Sequence, residues 1–245
     1  IPKNPTTPTT TLVVKVTPAF TVGVSPQSKT QDVGLSVIYP ITLTNTGNGT
    51  DSMKITYTST LPLTWTFYVD NNNDSIPGND GDYIFNPSNT GPLAQNAVLH
   101  ILVVDTLPTS TVDGAKDTSV FTFKSYTDTT VTGGVTTFTT VKAPQLVMTK
   151  SVAVQGGGLS IPGAILIYTI TYQNNGTGAA SSIVITDPSP TFTTYVANSV
   201  KLNDVDKTDA ANDDEVTVSN GNVVVNVGNV ASSASGTVVF KVKIN

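Results

Sequence analysis

Carboxylate and amide oxygens are concentrated in one loop of the sequence, VDNNNDSIPGNDGDY at residues 69–83. The first candidate ligands in it occupy alternate positions, as side-chain ligands do in loops that wind around a calcium ion. The full set of candidates is Asp70, Asn72, Asp74, the carbonyl of Ile76, Asp80 and Asp82. No glutamate follows to bind the ion through both of its oxygens. The pattern therefore leaves two interpretations open, a structural Ca²⁺ site and a solvated polar turn.

The residues needed for catalysis are scarce. His100, in the apolar run AVLHILVV, is the only histidine, and the chain contains no cysteine. Neither a cysteine nucleophile nor a multi-histidine metal site can be assembled from this set. Two carboxylates alone can cleave sugars, but the acids here lie mostly in turn-rich loops. One of these, residues 203–215, is acidic without the alternation of the first loop. We predict that the protein is not an enzyme.

The charge composition argues against a nucleic-acid partner. All basic residues are lysines, the net charge is −5 at neutral pH, and the isoelectric point is near 4.6. A polyanion would be repelled, and no arginine is present to bind phosphate through two hydrogen bonds. No stretch approaches the ~20 apolar residues of a membrane span. Because the sequence starts at Ile1 without a methionine, we interpret this end as processed after secretion and expect an extracellular or cell-surface location.

Three sequons are potential N-glycosylation sites on a secreted chain: Asn48-Gly-Thr, Asn73-Asp-Ser and Asn175-Gly-Thr. Asn48 and Asn175 lie in two similar Asn/Gly-rich stretches. The requirements of a turn explain these two asparagines as well as glycosylation does.

Strict alternation of apolar and polar residues dominates the chain, for example in Lys54–Tyr57 and Val238–Val242. Clusters of Gly, Pro and Asn separate these runs, and helical periodicity is absent. The pattern predicts an all-β protein built of immunoglobulin-like β-sandwiches. Trp65, in one such strand, is then expected in a core rather than on a carbohydrate-binding surface.

An internal repeat divides the chain. GLSVIYPITLTNTG at residues 34–47 aligns without a gap with GAILIYTITYQNNG at residues 163–176. In both copies an apolar strand runs into an Asn/Gly segment, which we interpret as a tight turn with positive φ angles. The repeat predicts two tandem sandwiches, residues 17–143 and 144–245, with a boundary near Pro144.

The N-terminal residues 1–16 have no counterpart in the second half. A Pro/Thr-rich arm is followed by TLVVKV, which alternates Leu12, Val14 and Val16 on one face with Val13 and Lys15 on the other. We interpret this as a spare, extended strand that joins subunits by adding to a sheet edge of another copy. The alternative is an additional edge strand on its own domain.

Motifs distributed over residues 145–245 carry a family resemblance. They are TKS at Thr149, PG at Pro162, YTITYQNNGT from Tyr168, ITDPSP from Ile185, YVANS from Tyr195, VGNV from Val227 and GTVVFKVK from Gly236. In them the second half resembles the DUF11 repeats (domain of unknown function 11) of bacterial and archaeal surface proteins. The resemblance implies an immunoglobulin-like fold, an adhesive or structural role, and no catalytic residues. The first half resembles the companion domain found beside such repeats, through ITLTNTGNGTD and the strand that contains Trp65.

These observations favour a structural subunit of an extracellular, pilus-like filament whose partners are other copies of itself. The family usually forms long arrays, whereas we expect two domains and no wall-sorting tail here, which favours self-assembly. Two alternatives remain open at this stage. One is a monomeric adhesin or carbohydrate-binding module, and the other is a component of a surface layer or biofilm matrix.

Overall fold

The computed structural model describes residues 13–24 and 27–245. This part of the chain contains strands, turns and bends but no helix. The predicted all-β class is therefore confirmed. Within the same residues, no helix is long and apolar enough to cross a membrane.

The first sandwich consists of two sheets. From edge to edge, one contains β1 (Phe20–Val24), β3 (Ser36–Asn45), β7 (Val98–Thr106), β5 (Thr66–Val69) and β6 (Tyr83–Ile84). The other contains β2 (Ser28–Asp32), β9 (Thr132–Lys142), β8 (Lys116–Ser125) and β4 (Met53–Ser59). The order β1-β3-β7-β5 matches strands A, B, E and D of an immunoglobulin domain, and β4, β8 and β9 match C, F and G. This agrees with the predicted fold.

Aromatic side chains from both sheets fill the core of the first sandwich. Trp65 is 4% exposed, and its ring meets Phe121 of β8 edge-on at 5.4 Å. The indole Nε1–H donates to Ser119 Oγ at 2.9 Å, which satisfies its polar end. Tyr39 of β3 lies 6.0 Å from Trp65 and donates its hydroxyl to Phe138 of β9. The prediction that Trp65 is a core residue is confirmed.

The second sandwich also has two sheets. One contains β10 (Leu146–Val154), β11 (Ile165–Asn174), β18 (Ser235–Ile244), β14 (Lys201–Leu202) and β15 (Val205–Asp206), with β13 (Thr193–Tyr195) also paired to β18. The other contains β12 (Ala180–Pro188), β17 (Asn222–Val230) and β16 (Val216–Ser219). Its core includes Val223 and Val225 of β17 packed with Phe240 of β18.

The three-stranded sheet has a definite orientation over its partner. Asp187 of β12 pairs with Lys150 of β10 at 2.7 Å. At the opposite edge, Val218 N–H of β16 donates to the carbonyl of Asp209, in the segment that follows β14 and β15. Strand β12 therefore lies at the β10 end of the sandwich and β16 at the β14 end.

The chain divides into two compact units. The first contains the described residues of Ile1–Lys29, Ser36–Thr106 and Lys116–Thr139, and the second contains Thr30–Leu35, Leu107–Ala115 and Thr140–Asn245. In the predicted division at residue 143, all residues from 17 to 143 belong to one domain. In the structure, two short segments and the end of β9 group with the second unit instead.

Candidate functional site

The predicted joining strand lies at the start of the described chain. Val13, Val14 and Val16 are 82, 69 and 44% exposed, and Lys15 is exposed as well. Residues 13–19 form no strand in the structure. Leu12, which the prediction also includes, lies outside the described residues. The described part of the segment therefore presents its apolar side chains to solvent.

The base of this segment is bound to the turn that follows β3. The N–H of Thr17 donates to Asn48 Oδ1 at 2.6 Å, and Asn48 Nδ2 donates to the carbonyl of Lys15 at 2.9 Å. The N–H of Thr46 donates to the carbonyl of Ala19 at 2.9 Å. Because these bonds hold residues 15–19 in place, the direction in which the chain enters β1 is fixed.

Two glycines make room for the segment. A Cβ added to Gly47 would stand 2.8 Å from Ala19 N and Thr17 O, and one added to Gly49 would stand 3.0 Å from a methyl group of Val16. Contacts under 3.0 Å are not tolerated by real Cβ atoms. Glycine at position 47 is therefore required so that the two backbones can approach each other.

The turn that follows β11 binds the segment that precedes β10 in the same way. Asn175 N–H donates to the carbonyl of Gln145 at 2.8 Å, and Gly178 N–H donates to that of Ala143 at 3.0 Å. A Cβ on Gly176 would stand 2.2 Å from Ala143 O. Both copies of the repeat therefore form a socket for the chain that enters their first strand. We call them socket one (Asn45–Gly49) and socket two (Asn174–Gly178).

The expected reason for glycine in these turns is wrong. Gly47 and Gly176 do not have positive φ angles, and the strands on either side of each turn belong to different sheets rather than to a hairpin. Glycine is needed at these positions because a neighbouring backbone lies against them, not because the chain adopts a left-handed conformation.

Each socket is organised by one fully buried asparagine. Asn45 donates to the carbonyls of Gly49 and Leu93 and accepts from Gly47 N–H, at 2.7 to 2.9 Å. The prediction did not single out either asparagine. The alignment of Asn45 with Asn174 in the repeat was the available signal.

Asn174 has a larger set of partners. It donates to Gly178 O, Val230 O and Ala231 O and accepts from Gly176 N–H and Gln145 N–H.

The three sequon asparagines are all exposed. Asn73 lies in the acidic loop with a φ of 57°. The amide of Asn48 is occupied by the N-terminal segment, as described above. Asn175 donates its backbone N–H to Gln145. Two of the three predicted glycan acceptors therefore belong to the sockets.

The acidic loop between β5 and β6 brings three predicted ligands together. Carboxylate oxygens of Asp70, Asp74 and Asp82 lie within 4.8 Å of one another. Asp70 is buried, and its carboxylate accepts the N–H groups of Asp74 and Ser75 at 3.1 Å. Hydrogen bonds from the Asn79 amide and the Ile76 N–H hold the pKa of the Asp74 carboxyl below its ordinary value.

The remaining predicted ligands are placed differently. Asn72 turns its amide nitrogen to Asp74, at 3.0 Å, and to Asp80, at 3.5 Å. Asp80 is exposed and does not belong to the cluster of three carboxylates. Ile76 contributes its N–H to Asp74 Oδ1 at 2.8 Å.

Two oxygens in the loop are buried without a hydrogen-bond donor, Asp82 Oδ2 and Asn79 Oδ1. Buried oxygens without partners cost free energy, and a hard cation would satisfy them. The donor set of carboxylates and an amide oxygen is the one that Ca²⁺ prefers. The residues present therefore fit a calcium ion, and Asn79 is a candidate ligand that the prediction missed.

The second acidic run binds its own chain instead. Asp209 accepts from the Tyr195 hydroxyl at 2.7 Å, and burial together with this bond raises the pKa of Tyr195 to about 12. Asp214 accepts from Thr208 N–H at 2.9 Å. These carboxylates have protein donors and form no candidate metal cluster within the described residues.

No family model and no curated protein matches this sequence. Among solved structures, the C-terminal domain of the AgI/II polypeptide BspA of Streptococcus agalactiae is similar, with a TM-score of 0.49, 11% identity, and coverage of 92% of this chain and 91% of that chain.

The class 5 fimbriae chaperone CfaA has a TM-score of 0.27 and 12% identity over 88% of this chain and 84% of that one. A CsuC-CsuE chaperone-tip adhesion subunit complex of Acinetobacter baumannii has a TM-score of 0.28 and 13% identity over 93% of this chain and 88% of that one. At these values the likenesses carry no inference about function. The fold assignment rests on the strand order of the chain itself.

Proposed function

We propose that the protein is a structural subunit of an extracellular filament, in which residues 12–16 of one copy add as a strand to a sheet of the next. The observation that carries the proposal is an exposed, largely apolar stretch, Val13–Val16, whose C-terminal end is held by hydrogen bonds to Asn48. A stretch of this kind is costly to leave in water. Its bound base sets the direction in which it leaves the subunit.

The apolar face is large enough for a joint. Burial of Leu12, Val14 and Val16 contributes about 1.5 to 3 kcal/mol each, or roughly 5 to 9 kcal/mol in total, before strand hydrogen bonds are counted. Ordering of the segment and loss of subunit freedom oppose this term. The balance is compatible with a stable joint because the base of the segment is already held in place.

Strand donation of this kind gives an open polymer. The donating and accepting surfaces differ, so each copy offers one of each. Contacts of this type propagate into a filament unless the rotation between copies closes a ring. The resemblance to DUF11 surface repeats supports placing such a polymer outside the cell.

Removal of residues 1–16 tests the proposal. We expect this variant to stay monomeric in sedimentation velocity and to form no filaments in electron microscopy, while a variant that lacks only residues 1–11 still assembles. The point variants Val14→Asp and Val13→Asp sharpen the test because they lie on opposite faces of the alternating stretch. Val14→Asp is expected to abolish assembly and Val13→Asp to leave it within about twofold. Filaments from the 1–16 deletion at normal yield would overturn the proposal.

The acidic loop supports a second proposal, a structural Ca²⁺ held by Asp70, Asp74 and Asp82. Its role is to tie the end of β5 to the start of β6. The observation in its favour is the pair of buried, unpartnered oxygens on Asp82 and Asn79. We propose no catalytic role for this loop or for any other part of the chain.

A monomeric carbohydrate-binding module is less well supported. The side chain that would form a sugar platform, Trp65, is 4% exposed. A surface layer or matrix would be built from the same joint, and electron microscopy separates it from a filament by two-dimensional rather than helical order.

A further inference from the structure

The open side of the second sandwich forms a groove between β10 and β12. Cross-strand partners in an antiparallel pair share a face, so Met148 and Lys150 of β10 point the same way as Tyr172 and Ile170 of β11. Tyr172 and Ile170 are buried in the core, yet Met148 is 59% exposed. The inner face of β10 therefore has little covering it within the described chain.

The same face is covered in the first sandwich. The inner residues of β1, Phe20 and Val22, are half-buried. Gly133 of β9 lies against the Phe20 ring, since a Cβ at that glycine would stand 3.0 Å from it. In the described part of the second sandwich, no strand takes the place of β9. Strand β12 pairs with β17 alone, and β17 lies on the side away from β10.

The lining of the groove has the chemistry of a strand site. The groove is open to solvent, has a volume of about 260 Å³ and is lined by Met148, Thr149, Lys150, Ile170, Ile185, Thr186 and Asp187. The positive charge of Lys150 is balanced within the groove, because its Nζ lies 2.7 Å from the Asp187 carboxylate. The same Nζ lies 4.5 Å from the centroid of the Tyr168 ring, a favourable cation–π distance. The site therefore suits an uncharged, apolar strand face.

Three other edge strands among the described residues are less suitable. Strands β6 and β15 have two residues each, whereas β10 and β12 have nine each. The edge strand β4 is already bonded, since Ile55 N–H donates to Pro87 O and Thr90 N–H donates to Met53 O.

The sockets show what should occupy the groove. Thr17 O and Ala19 N lie against Gly47 in socket one as Ala143 O and Gln145 N lie against Gly176 in socket two. Thr17-Pro18-Ala19 therefore corresponds to Ala143-Pro144-Gln145, and the preceding residues 14–16 correspond to 140–142, the last residues of β9. Residues 140–142 belong to a sheet, whereas residues 14–16 form no strand within the described chain.

From this correspondence we infer that residues 12–16 of one copy complete the second sandwich of another by pairing with β12 and covering the inner face of β10. The inference rests on the proposed strand donation and specifies its acceptor. The incoming strand takes the place that β9 has in the first sandwich. Because its other face carries the charge of Lys15, the face with Leu12, Val14 and Val16 packs on Met148.

Cysteine cross-linking in the full-length chain tests the acceptor, because the protein has no cysteine of its own. One tagged copy carries Lys15→Cys and a second copy carries Val184→Cys, on the solvent-facing side of β12. Directly opposed residues in paired strands approach within disulfide range. We expect a covalent dimer of the two copies when they are assembled together, and no dimer when the second copy carries Thr56→Cys on β4. Cross-linking to Thr56→Cys instead would overturn the assignment.

Two substitutions on neighbouring residues of β10 give an independent readout. Met148→Asp places a charge in the groove. Val147→Asp places a charge on the opposite face of the same strand, where the Val147 side chain is 44% exposed. Met148→Asp is expected to reduce the assembled fraction at least tenfold with an unchanged melting temperature of the monomer, and Val147→Asp to change it less than twofold. If Val14→Asp blocks assembly but Met148→Asp does not, strand donation stands and the groove is not its acceptor. If deletion of residues 1–16 leaves assembly intact, strand donation itself fails.

Discussion

The two sandwiches begin with the same elements and differ in whether a later strand covers the inner face of the first strand. Each begins with a socket that binds the entering chain and with a first strand paired to the strand of the repeat. In the first sandwich β9 then covers the inner face of β1. In the described second sandwich the equivalent face of β10 stays open, with Met148 59% exposed.

This difference shows that a buried core and a fully covered inner face, which usually occur together, can be separated. The core of the second sandwich is built from fully buried residues such as Val238 and Phe240, so the absence of a covering strand does not remove its core. The uncovered side is confined to one edge. A domain can therefore fold and still retain a strand-sized site for another molecule.

Loss of the socket asparagines tests how far the two sandwiches are alike and has the largest expected effect. Asn174→Ala removes five hydrogen-bond partners and Asn45→Ala removes three. Each buried group left unpaired costs about 1 to 3 kcal/mol. We expect both variants to be strongly destabilised, Asn174→Ala more than Asn45→Ala, in urea unfolding. The fluorescence of Trp65 follows the first sandwich, and circular dichroism follows both. Equal losses would show that the additional partners of Asn174 contribute little.

Alanine in place of the socket glycines tests whether both sockets depend on close backbone approach. Gly47→Ala and Gly176→Ala place a methyl group against backbone atoms, and overpacking of this kind costs about 1 to 3 kcal/mol. The matched control is Gly23→Ala in β1, where no atom lies within 4 Å of the added Cβ. Thermal melting of the three variants gives the comparison. A control as destabilised as the socket variants would remove the steric explanation.

Calcium binding is expected to distinguish the sandwiches because, among the described residues, the ligand cluster lies in the first. At a concentration 100-fold above the dissociation constant, an ion that binds only the folded state adds about 2.7 kcal/mol. Chelation should therefore lower the melting transition reported by Trp65. Asp74→Asn should remove this response, and Asp209→Asn in the other acidic run should not. A chelator-insensitive transition in the wild-type chain contradicts the site.

Acid sensitivity is expected to give the smallest difference between the two sandwiches. Burial alone would raise the pKa of Asp51, but hydrogen bonds from Ser125, Thr127 and Ser52 outweigh it and lower the pKa below its ordinary value. A depressed folded-state pKa contributes stability above the unfolded-state value of 3.8, and this stability is lost as the pH falls through the folded-state value. The first sandwich should lose stability below about pH 4.

Asp51→Asn should reduce this pH dependence, as measured by Trp65 fluorescence. At the corresponding place in the repeat the second sandwich has Ala180. An unchanged acid profile in Asp51→Asn would assign the loss to other carboxylates.

Much of the fold could be predicted from alternation and from the repeat. Strand β1 at Phe20–Val24, strand β10 from Leu146 and the buried position of Trp65 all follow from the pattern of apolar residues. The reason for Gly47 could not be predicted, because the same Asn-Gly pattern is compatible with a positive φ and with a close backbone contact. Only the position of Thr17 and Ala19 decides between them.

The sites were partly predictable for a similar reason. The composition of the acidic loop identified Asp70, Asp74 and Asp82, but spacing alone could not show that Asp80 points elsewhere or that Asn79 has a buried, unpartnered oxygen. The groove beside β12 was not predicted. Alternation shows which face of a strand is apolar, but it does not show which of its two edges a later strand will occupy.

The exposure of Val13–Val16 has a consequence for the lifetime of free subunits. Extended, solvent-accessible chain without a sheet partner is where proteases cut most readily. Under the proposed assembly, a subunit that has not been incorporated is open to cleavage in the stretch it needs to join, whereas an incorporated one is shielded there by its neighbour. Trimming would therefore leave folded but terminated subunits, and the length of the polymer would depend on the protease content of its surroundings.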